Sequence, residues 1–238
     1  MHLGALGYGR RLGIWLQGCT LACLGCCSKD TWAAGLRYET DWSNFAGLLD
    51  YALTGERLDG VTISGGEPFQ QQDALVATLR EIRSIQARLI AEWDIVLFTG
   101  YPFEEIAHNN AVLGQIDLLV AGPYVQALPM APMRGSKNQT LHHLSELGNA
   151  RYSDLWLEGP GQAARMDVAL AGNDLVFAGL PTVGDLPRIE QALSNRGVSS
   201  RGASWHERRA EVSSRWQKDA QTGQRSFDPR RRGRSGLG

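Results

Sequence analysis

All four cysteines of this chain fall within nine positions, from Cys19 to Cys27. That clustering limits the fold before any helix or strand is assigned. A disulfide framework would spread its cysteines along the chain and close longer loops than these. The core must come from hydrophobic packing, and the thiols fit a reducing compartment where thiolates are available for metal. At 238 residues, 43% hydrophobic and 21% charged, the chain has material for one sizeable core. Within the cluster, Cys19, Cys23 and Cys26 follow a C-x3-C-x2-C spacing. Three soft thiolates on one short loop, with no fourth partner at a matching distance, fit a [4Fe–4S] cube that keeps one iron open to a small molecule. Two alternatives stand beside this reading. A zinc site normally draws four ligands from two separated pairs, and the adjacent thiols of Cys26 and Cys27 cannot easily turn onto one ion. Buried free thiols can also serve simply as small hydrophobes.

Along the chain, strand-like and helix-like segments alternate. Residues 12–17 read as a strand running into the cysteine loop. Residues 42–53 read as a helix with Asp41 at its N-cap. Residues 60–64 form a short strand ended by two glycines. Leu75, Leu79, Ile82 and Ile85 recur at helical spacing and predict an amphipathic helix over 72–88. Further strands are expected at 94–98, 116–120 and 154–157, a short helix from Glu104 and a long loop over 123–140. A hairpin is expected over 166–180, turning at Gly172-Asn173-Asp174, and a last helix from Gly184-Asp185 to Asn195. Such alternation predicts an α/β fold with mainly parallel strands. The units are too few for a closed eight-stranded barrel, so a partial, open β/α barrel is expected, with its site at the strands' C-terminal ends. The cysteine loop, Ser64-Gly65-Gly66-Glu67-Pro68 and Thr99-Gly100-Tyr101 each directly follow a strand.

Charge divides the chain unevenly. Residues 1–198 carry 14 Lys/Arg against 21 Asp/Glu, and residues 199–238 carry 10 against 4. The expected organisation is one domain over 1–198, with a core over 3–141 and an extension over 142–198, followed by a disordered basic tail over 199–238. The tail lacks the aromatic interleaving of a nucleic-acid-binding segment, so nucleic acid is not expected as a partner. No apolar run approaches the ~18 residues of a membrane span. Arg10 and Arg11 follow a short mixed segment, the reverse of a signal peptide's order, so a cytoplasmic protein is expected.

A Gly-Gly-Glu-Pro turn alone is weak, because an ordinary β-to-α turn reads the same way. Its functional reading is a bare backbone edge that lets a polar ligand approach, with carbonyls and Glu67 placed to accept from an ammonium group. The order of cysteine loop first and this turn about 40 residues later is far more specific than either part.

That combination resembles the radical S-adenosylmethionine (SAM) enzymes. It is most similar to the short activating enzymes of glycyl-radical proteins, those of anaerobic ribonucleotide reductase and pyruvate formate-lyase. The residues that carry the resemblance are Gly9 to Cys19, Asp30-Thr31-Trp32, Ile63 to Pro68, Leu97 to Tyr101 with Phe103-Glu104-Glu105, Gly122-Pro123-Tyr124 and Arg134 to Gln139. It weakens through Gly179-Leu180-Pro181 to about Gly197 and does not reach the tail.

The resemblance implies a [4Fe–4S] cluster held by Cys19, Cys23 and Cys26, whose open iron chelates the amino and carboxylate groups of SAM. Gly65, Gly66 and Glu67, followed by Pro68, would receive the methionine ammonium. Gly25, Thr99 and Gly100 would contact the cofactor, and Asn138 would bind its ribose or carboxylate, with Arg134 nearby; a strand-end turn and loop ordering are the bland readings of these residues. A flavodoxin- or ferredoxin-type donor would supply an electron, SAM would be cleaved reductively, and a hydrogen atom would be taken from one glycine of a glycyl-radical partner. The protein's share is orientation and exclusion of water. Three positions depart from the family. Leu24 replaces a proline common there, and Cys27 replaces an aromatic residue near adenine, which makes it a rim residue of the cofactor pocket or a buried thiol. Ala121 replaces an acidic residue and cannot supply its carboxylate. Trp15 and Trp32 are read as core, and His142, His143 and His206 as surface histidines. Two other functions compete: a radical SAM enzyme acting on a small molecule or peptide, and a non-catalytic iron–sulfur electron carrier or redox sensor.

Overall fold

The computed structural model describes residues 2–35, 39–154, 157, 166–171, 174–182 and 184–198. Its centre is a six-stranded sheet in sequential order, β1 (His2–Leu3), β2 (Arg11–Leu16), β3 (Gly60–Gly65), β4 (Asp94–Thr99), β5 (Leu118–Ala121) and β6 (Thr140–His143). Strands β2 to β5 are parallel to one another, and β1 and β6 run antiparallel at the two edges. Parallel pairing needs crossovers. These are α1 (Trp42–Thr54), α2 (Gln72–Leu89) and the short α3 (Phe103–Ile106) and α4 (Asn110–Leu113); α5 (Glu146–Arg151) follows β6. A separate antiparallel pair, β7 (Met166–Ala171) and β8 (Asp174–Gly179), precedes α6 (Asp185–Ser194).

Period-two alternation divides the strand residues between two faces. Val61, Ile63, Ile95, Leu97 and Leu119 point to the helices, where they meet Leu49 and Leu53 of α1 and Leu75, Leu79, Ile82 and Ile85 of α2. The four α2 residues named from periodicity are all 2% exposed or less. The opposite face carries Val96, Leu118 and Val120, packed with Met133 and Tyr152. Asp41 occupies the N-cap position of α1, though its side chain makes no capping bond.

The expected strands, the two long helices, the hairpin and the last helix are present, with ends moved by one or two residues. The stretch 154–157 differs. Asp154 and Leu157 are helical, with Leu157 N–H donating to the Ser153 carbonyl at 2.9 Å. An apolar run this short does not distinguish strand from helix by period; residues 155 and 156 lie outside the described residues. Strand β6 and helices α4 and α5 went unanticipated, being four to six residues long and without apolar periodicity. The hairpin turn at Gly172-Asn173, the tail over 199–238 and His206 also lie outside the described residues. Among the described residues, no helix is long and apolar enough to cross a membrane.

Candidate functional site

Because β2, β3 and β4 are parallel, the loops that leave their C-terminal ends share one edge of the sheet. The cysteine loop is pinned there at both ends: Gly18 N–H donates to the Thr31 carbonyl at 2.7 Å and Cys19 N–H to the Trp32 carbonyl at 3.0 Å. A tight turn closes its middle, from Cys26 N–H to the Cys23 carbonyl at 3.2 Å, with Gly25 at φ +76°. The four thiols are half-buried. Burial pushes the Cys19 thiol up to about 11 and raises that of Cys23. The Cys27 thiol also rises to about 11, for the same reason. Among the described residues, no three His, Cys, Asp or Glu side chains converge as a metal-ligand set. Metal ligation requires thiolates, and the metal itself supplies the charge that draws off their protons. The donor set of three soft sulfurs on one pinned loop therefore fits an iron–sulfur cluster in its chemistry, although the side chains do not stand in a ligating arrangement.

The Gly-Gly-Glu-Pro turn lies directly against this loop. Gly66 N–H donates to the Leu16 carbonyl at 2.7 Å and Glu67 N–H to the Gly18 carbonyl at 2.8 Å. Two glycines are required for this approach. A Cβ on Gly65, at φ +104°, would stand 2.5 Å from the Leu16 backbone, and one on Gly66 would stand 2.2 Å from the Gly18 carbonyl oxygen. Pro68 is buried and opens a short 3-10 turn, over which the Glu67 carboxylate acts as cap.

Glu67 reaches across to the third turn. One carboxylate oxygen accepts from the Thr99 hydroxyl at 2.7 Å and from Phe69 N–H at 3.0 Å; the other accepts from Gly100 N–H at 2.7 Å. At 1% exposure its charge faces only neutral donors, and burial raises its pKa. A Cβ on Gly100 would strike Leu21 of the cysteine loop at 2.4 Å. Gln70 joins all three turns: its amide accepts from Thr20 N–H at 3.0 Å and donates to the Thr20 hydroxyl at 2.8 Å and the Tyr101 hydroxyl at 3.1 Å. Gln17 fixes the far side of the loop, donating to the Asp30 and Ala33 carbonyls. Gln17 and Gln70 were not singled out from sequence, although both lie inside the quoted motifs or beside them.

The loop between β5 and β6 leans over the cysteines. The Gln126 side chain occupies the space that a Cβ on Gly25 would need, and the backbone of Tyr124 bonds the Cys23 thiol. Asn138 is exposed, and its amide donates to the Pro123 carbonyl at 2.7 Å. Arg134 donates to the Pro132 and Gln139 carbonyls. Both residues order the loop in this structure. Cys27 lines a cavity with Trp15, Ser64 and Phe98. The core reading of Trp15 is overturned: it is 38% exposed and faces that cavity, because it lies on the opposite sheet face from the helices. His142 is half-buried on the edge strand, and its ring stacks on Phe103 with centroids 3.9 Å apart.

A parallel α/β sheet with a three-cysteine loop on its C-terminal edge has the form of a single-cluster iron–sulfur domain. The family model described as "4Fe-4S single cluster domain" matches residues 5–142, more than half of the chain. The anaerobic ribonucleoside-triphosphate reductase-activating protein of Haemophilus influenzae is 33% identical over 141 residues, spanning 57% of this chain and 89% of the relative. The protein of the same name from Enterobacteria phage T4 is 32% identical over 137 residues, 57% of this chain and 85% of the relative. A shorter match, 36% over 75 residues and 29% of each chain, is to the pyruvate formate-lyase-activating enzyme of Listeria monocytogenes. The chain therefore belongs to the 4Fe-4S single cluster domain family, within the radical SAM activating enzymes of glycyl-radical proteins. No solved structure matches it.

Proposed function

We propose that this protein reductively cleaves SAM at a [4Fe–4S] cluster held by Cys19, Cys23 and Cys26, and installs a glycyl radical on a partner enzyme. The observation that carries the proposal is the tie among the three strand-end turns, made by the Glu67 carboxylate and the Gln70 amide beside the cysteine loop. An electron carrier has no use for that tie. When bound, the cluster and SAM supply the reductive cleavage and the hydrogen-atom abstraction. The chain's residues hold and orient. Glu67 has about four lone-pair positions and uses three of them on Thr99, Phe69 and Gly100. The remaining position, with the glycine backbone of Gly65 and Gly66, suits a substrate ammonium, which would relieve the cost of a buried anion without a cation. Gly25, Thr99 and Gly100 supply close backbone approach, Asn138 a polar contact to ribose or carboxylate, and Cys27 the rim of the cofactor pocket.

Further parts of the reading follow. The four parallel strands and two antiparallel edges support an open, partial β/α barrel forming one domain over 1–198, with its core over 3–141. The partner is a glycyl-radical protein of the kind that the relatives' names indicate. The electron donor is of flavodoxin or ferredoxin type, and the four free thiols suit a reducing, cytoplasmic setting.

Anaerobic reconstitution tests the proposal. The expected result is about four irons per chain and release of 5′-deoxyadenosine from SAM with dithionite. Cys19→Ala is expected to lose both, while Cys27→Ala keeps the cluster; a Cys27→Ala protein without iron would overturn the ligand assignment. Electron resonance on a mixture with a candidate partner reads the glycyl radical itself, and silence from every candidate would redirect the substrate to a small molecule.

A further inference from the structure

Two different parts of the fold hold the two halves of the cysteine loop. The first half hangs on its own end of the sheet: Gly18 and Cys19 N–H donate to the Thr31 and Trp32 carbonyls, and the Gln70 amide holds Thr20. The second half, the tight turn from Cys23 to Cys26, is met from across the sheet by the loop between β5 and β6. A Cβ on Gly25 would stand 2.6 Å from the Gln126 carboxamide carbon and 2.9 Å from its nitrogen and oxygen. The carboxamide therefore rests against the turn at the residue that leaves room for it. The loop that carries Gln126 is stiff. Ser136, fully buried, accepts from Val125 N–H at 3.0 Å, and its own N–H donates to the Gln139 side-chain oxygen at 3.2 Å. The Gln139 amide donates to the Gly122 carbonyl at 2.9 Å, and Lys137 N–H to the Pro129 carbonyl at 2.8 Å. Met133, 3% exposed, packs into the core at φ +59°, a conformation that a non-glycine residue keeps only where its surroundings hold it.

We propose that Gln126 is a positioning residue for the cluster: resting on Gly25, it holds the Cys23–Cys26 turn closed, so that the two sulfurs of this half are presented together and water is kept off them. This rests on the ligand assignment under the proposed function. Cys23 and Cys26 are separated by only two residues, with Gly25 directly before Cys26, so any movement of the turn moves both sulfurs. A rigid support fixes such a pair more closely than a mobile one, and the bonds within the β5–β6 loop make it rigid. Gln126 is exposed on its outer side and gives up rotamer freedom to lie against the turn. Gly25 offers it no side chain, so the contact is one of packing, and an uncharged side chain of similar length can replace it. Reduction adds negative charge to an iron–sulfur cluster, and water stabilises that charge, so shielding by Gln126 keeps the potential low.

The test uses the full-length, cluster-loaded protein and two variants. Gln126→Ala removes the support, and Gln126→Met keeps its length without the amide. The midpoint potential is read by redox titration with electron resonance, and iron release to a chelator by absorbance. Gln126→Ala is expected to shift the midpoint positive by about tenfold in the reduction equilibrium, ~59 mV for one electron, and to release iron severalfold faster. Gln126→Met is expected to stay within about twofold of wild type in the same equilibrium and to release iron at the wild-type rate. Melting by circular dichroism is expected to be unchanged in both, because Gln126 is exposed. An unchanged potential and release rate in Gln126→Ala overturns the proposal. So does a Gln126→Met protein that shifts as far as Gln126→Ala, since the amide would then act by its polarity. A Gln126→Ala protein that loads no cluster while Gln126→Met loads one is the same loss carried to its limit, and failure of both to load overturns the proposal. Iron content of the wild type is measured in parallel. A wild type without a cluster would sink the ligand assignment itself, and a loaded wild type with indistinguishable variants would sink the role of Gln126 alone.

Discussion

Glu67 and Asp94 are both buried carboxylates, 1% and 0% exposed, at opposite ends of neighbouring parallel strands. Their partners differ in kind. Asp94, at the start of β4, is gripped by Arg11, whose Nη1 and Nη2 lie 3.0 and 2.8 Å from its two oxygens, by Arg151 and by the Tyr152 hydroxyl at 2.6 Å. Arg11 is itself fully buried, and its remaining donors go to Thr62 and to the Tyr8 and Val61 carbonyls. The buried carboxylate at this end has its cations within the fold. Glu67, past the end of β3, has hydroxyl and amide donors only. A buried anion without a cation is costly, and among the described residues that cost is met at the edge where the cysteines lie. The contrast is one of partners: the carboxylate at the start of β4 holds guanidiniums to the sheet, and the one past the end of β3 is met by neutral donors.

The largest expected effect lies at the Asp94 end. Asp94→Asn leaves two guanidiniums without a counter-charge and is expected to cost about 3–5 kcal/mol of stability, read by urea denaturation. The iron content of the folded fraction is expected to stay near that of wild type. Preserved stability would mean that these ion pairs do not hold the fold. Glu67→Gln turns an amide donor toward Thr99 or Gly100 and is expected to cost less, about 1–3 kcal/mol. Its larger consequence is expected in SAM affinity, about tenfold weaker or more by equilibrium dialysis.

The pH dependence sharpens the same comparison. Burial raises the Glu67 pKa above its ordinary 4.5. The folded state therefore binds more protons than the unfolded chain between 4.5 and the raised value, and stability from this group falls as pH rises through that window. Wild type is thus expected to gain on Glu67→Gln as the pH is lowered from 8 to 5, the reverse of a salt-bridged carboxylate. Melting temperatures of both proteins at the two pH values give the answer; a gap that closes on acidification would contradict the assigned burial.

Between the two ends, Gln70→Ala removes the amide that links Thr20 to Tyr101. Water can replace some of these bonds, so the stability cost is expected to be about 1 kcal/mol. The cysteine loop loses its brace, however, and iron release to a chelator is expected to quicken severalfold. Unchanged release would confine Gln70 to a surface role.

These two ends were not equally legible in the sequence. The site end announces itself through short motifs in fixed order, because close backbone approach demands glycine at 65 and 66 and cluster chemistry demands thiols at fixed spacing. The Asp94 end leaves no local trace: Arg11, Asp94, Arg151 and Tyr152 are brought together only by the sheet and by α5. Arg11 stands out in the sequence only as a charge near the N-terminus and a member of the Gly9 to Cys19 motif, with no partner to be read for it. Periodicity found α2 because four apolar residues repeat on one face, and it missed β6 because Thr140-Leu141-His142-His143 pairs along an edge without a buried side. Trp15 was assigned to the core because apolar character alone does not say which sheet face a residue takes, and the register that settles it, Trp15 opposite Ser64, is a property of the paired strands.

The smallest effect is expected from the stack of His142 on Phe103, which joins β6 to the helix that follows the Thr99-Gly100-Tyr101 turn. Like Glu67, it belongs to the site end, but its titration has the opposite sign. Burial lowers the His142 pKa below its ordinary 6.5, against a weaker pull from Glu104. The folded state then binds fewer protons than the unfolded chain just below 6.5, so this contribution is present above that pH and is lost as pH falls. His142→Ala is expected to cost about 0.5–1.5 kcal/mol at pH 8 and less at pH 5.5, by urea denaturation at both. An equal deficit at the two pH values would show that the ring contributes by packing alone, leaving Glu67 as the group at this end whose protonation the fold feels.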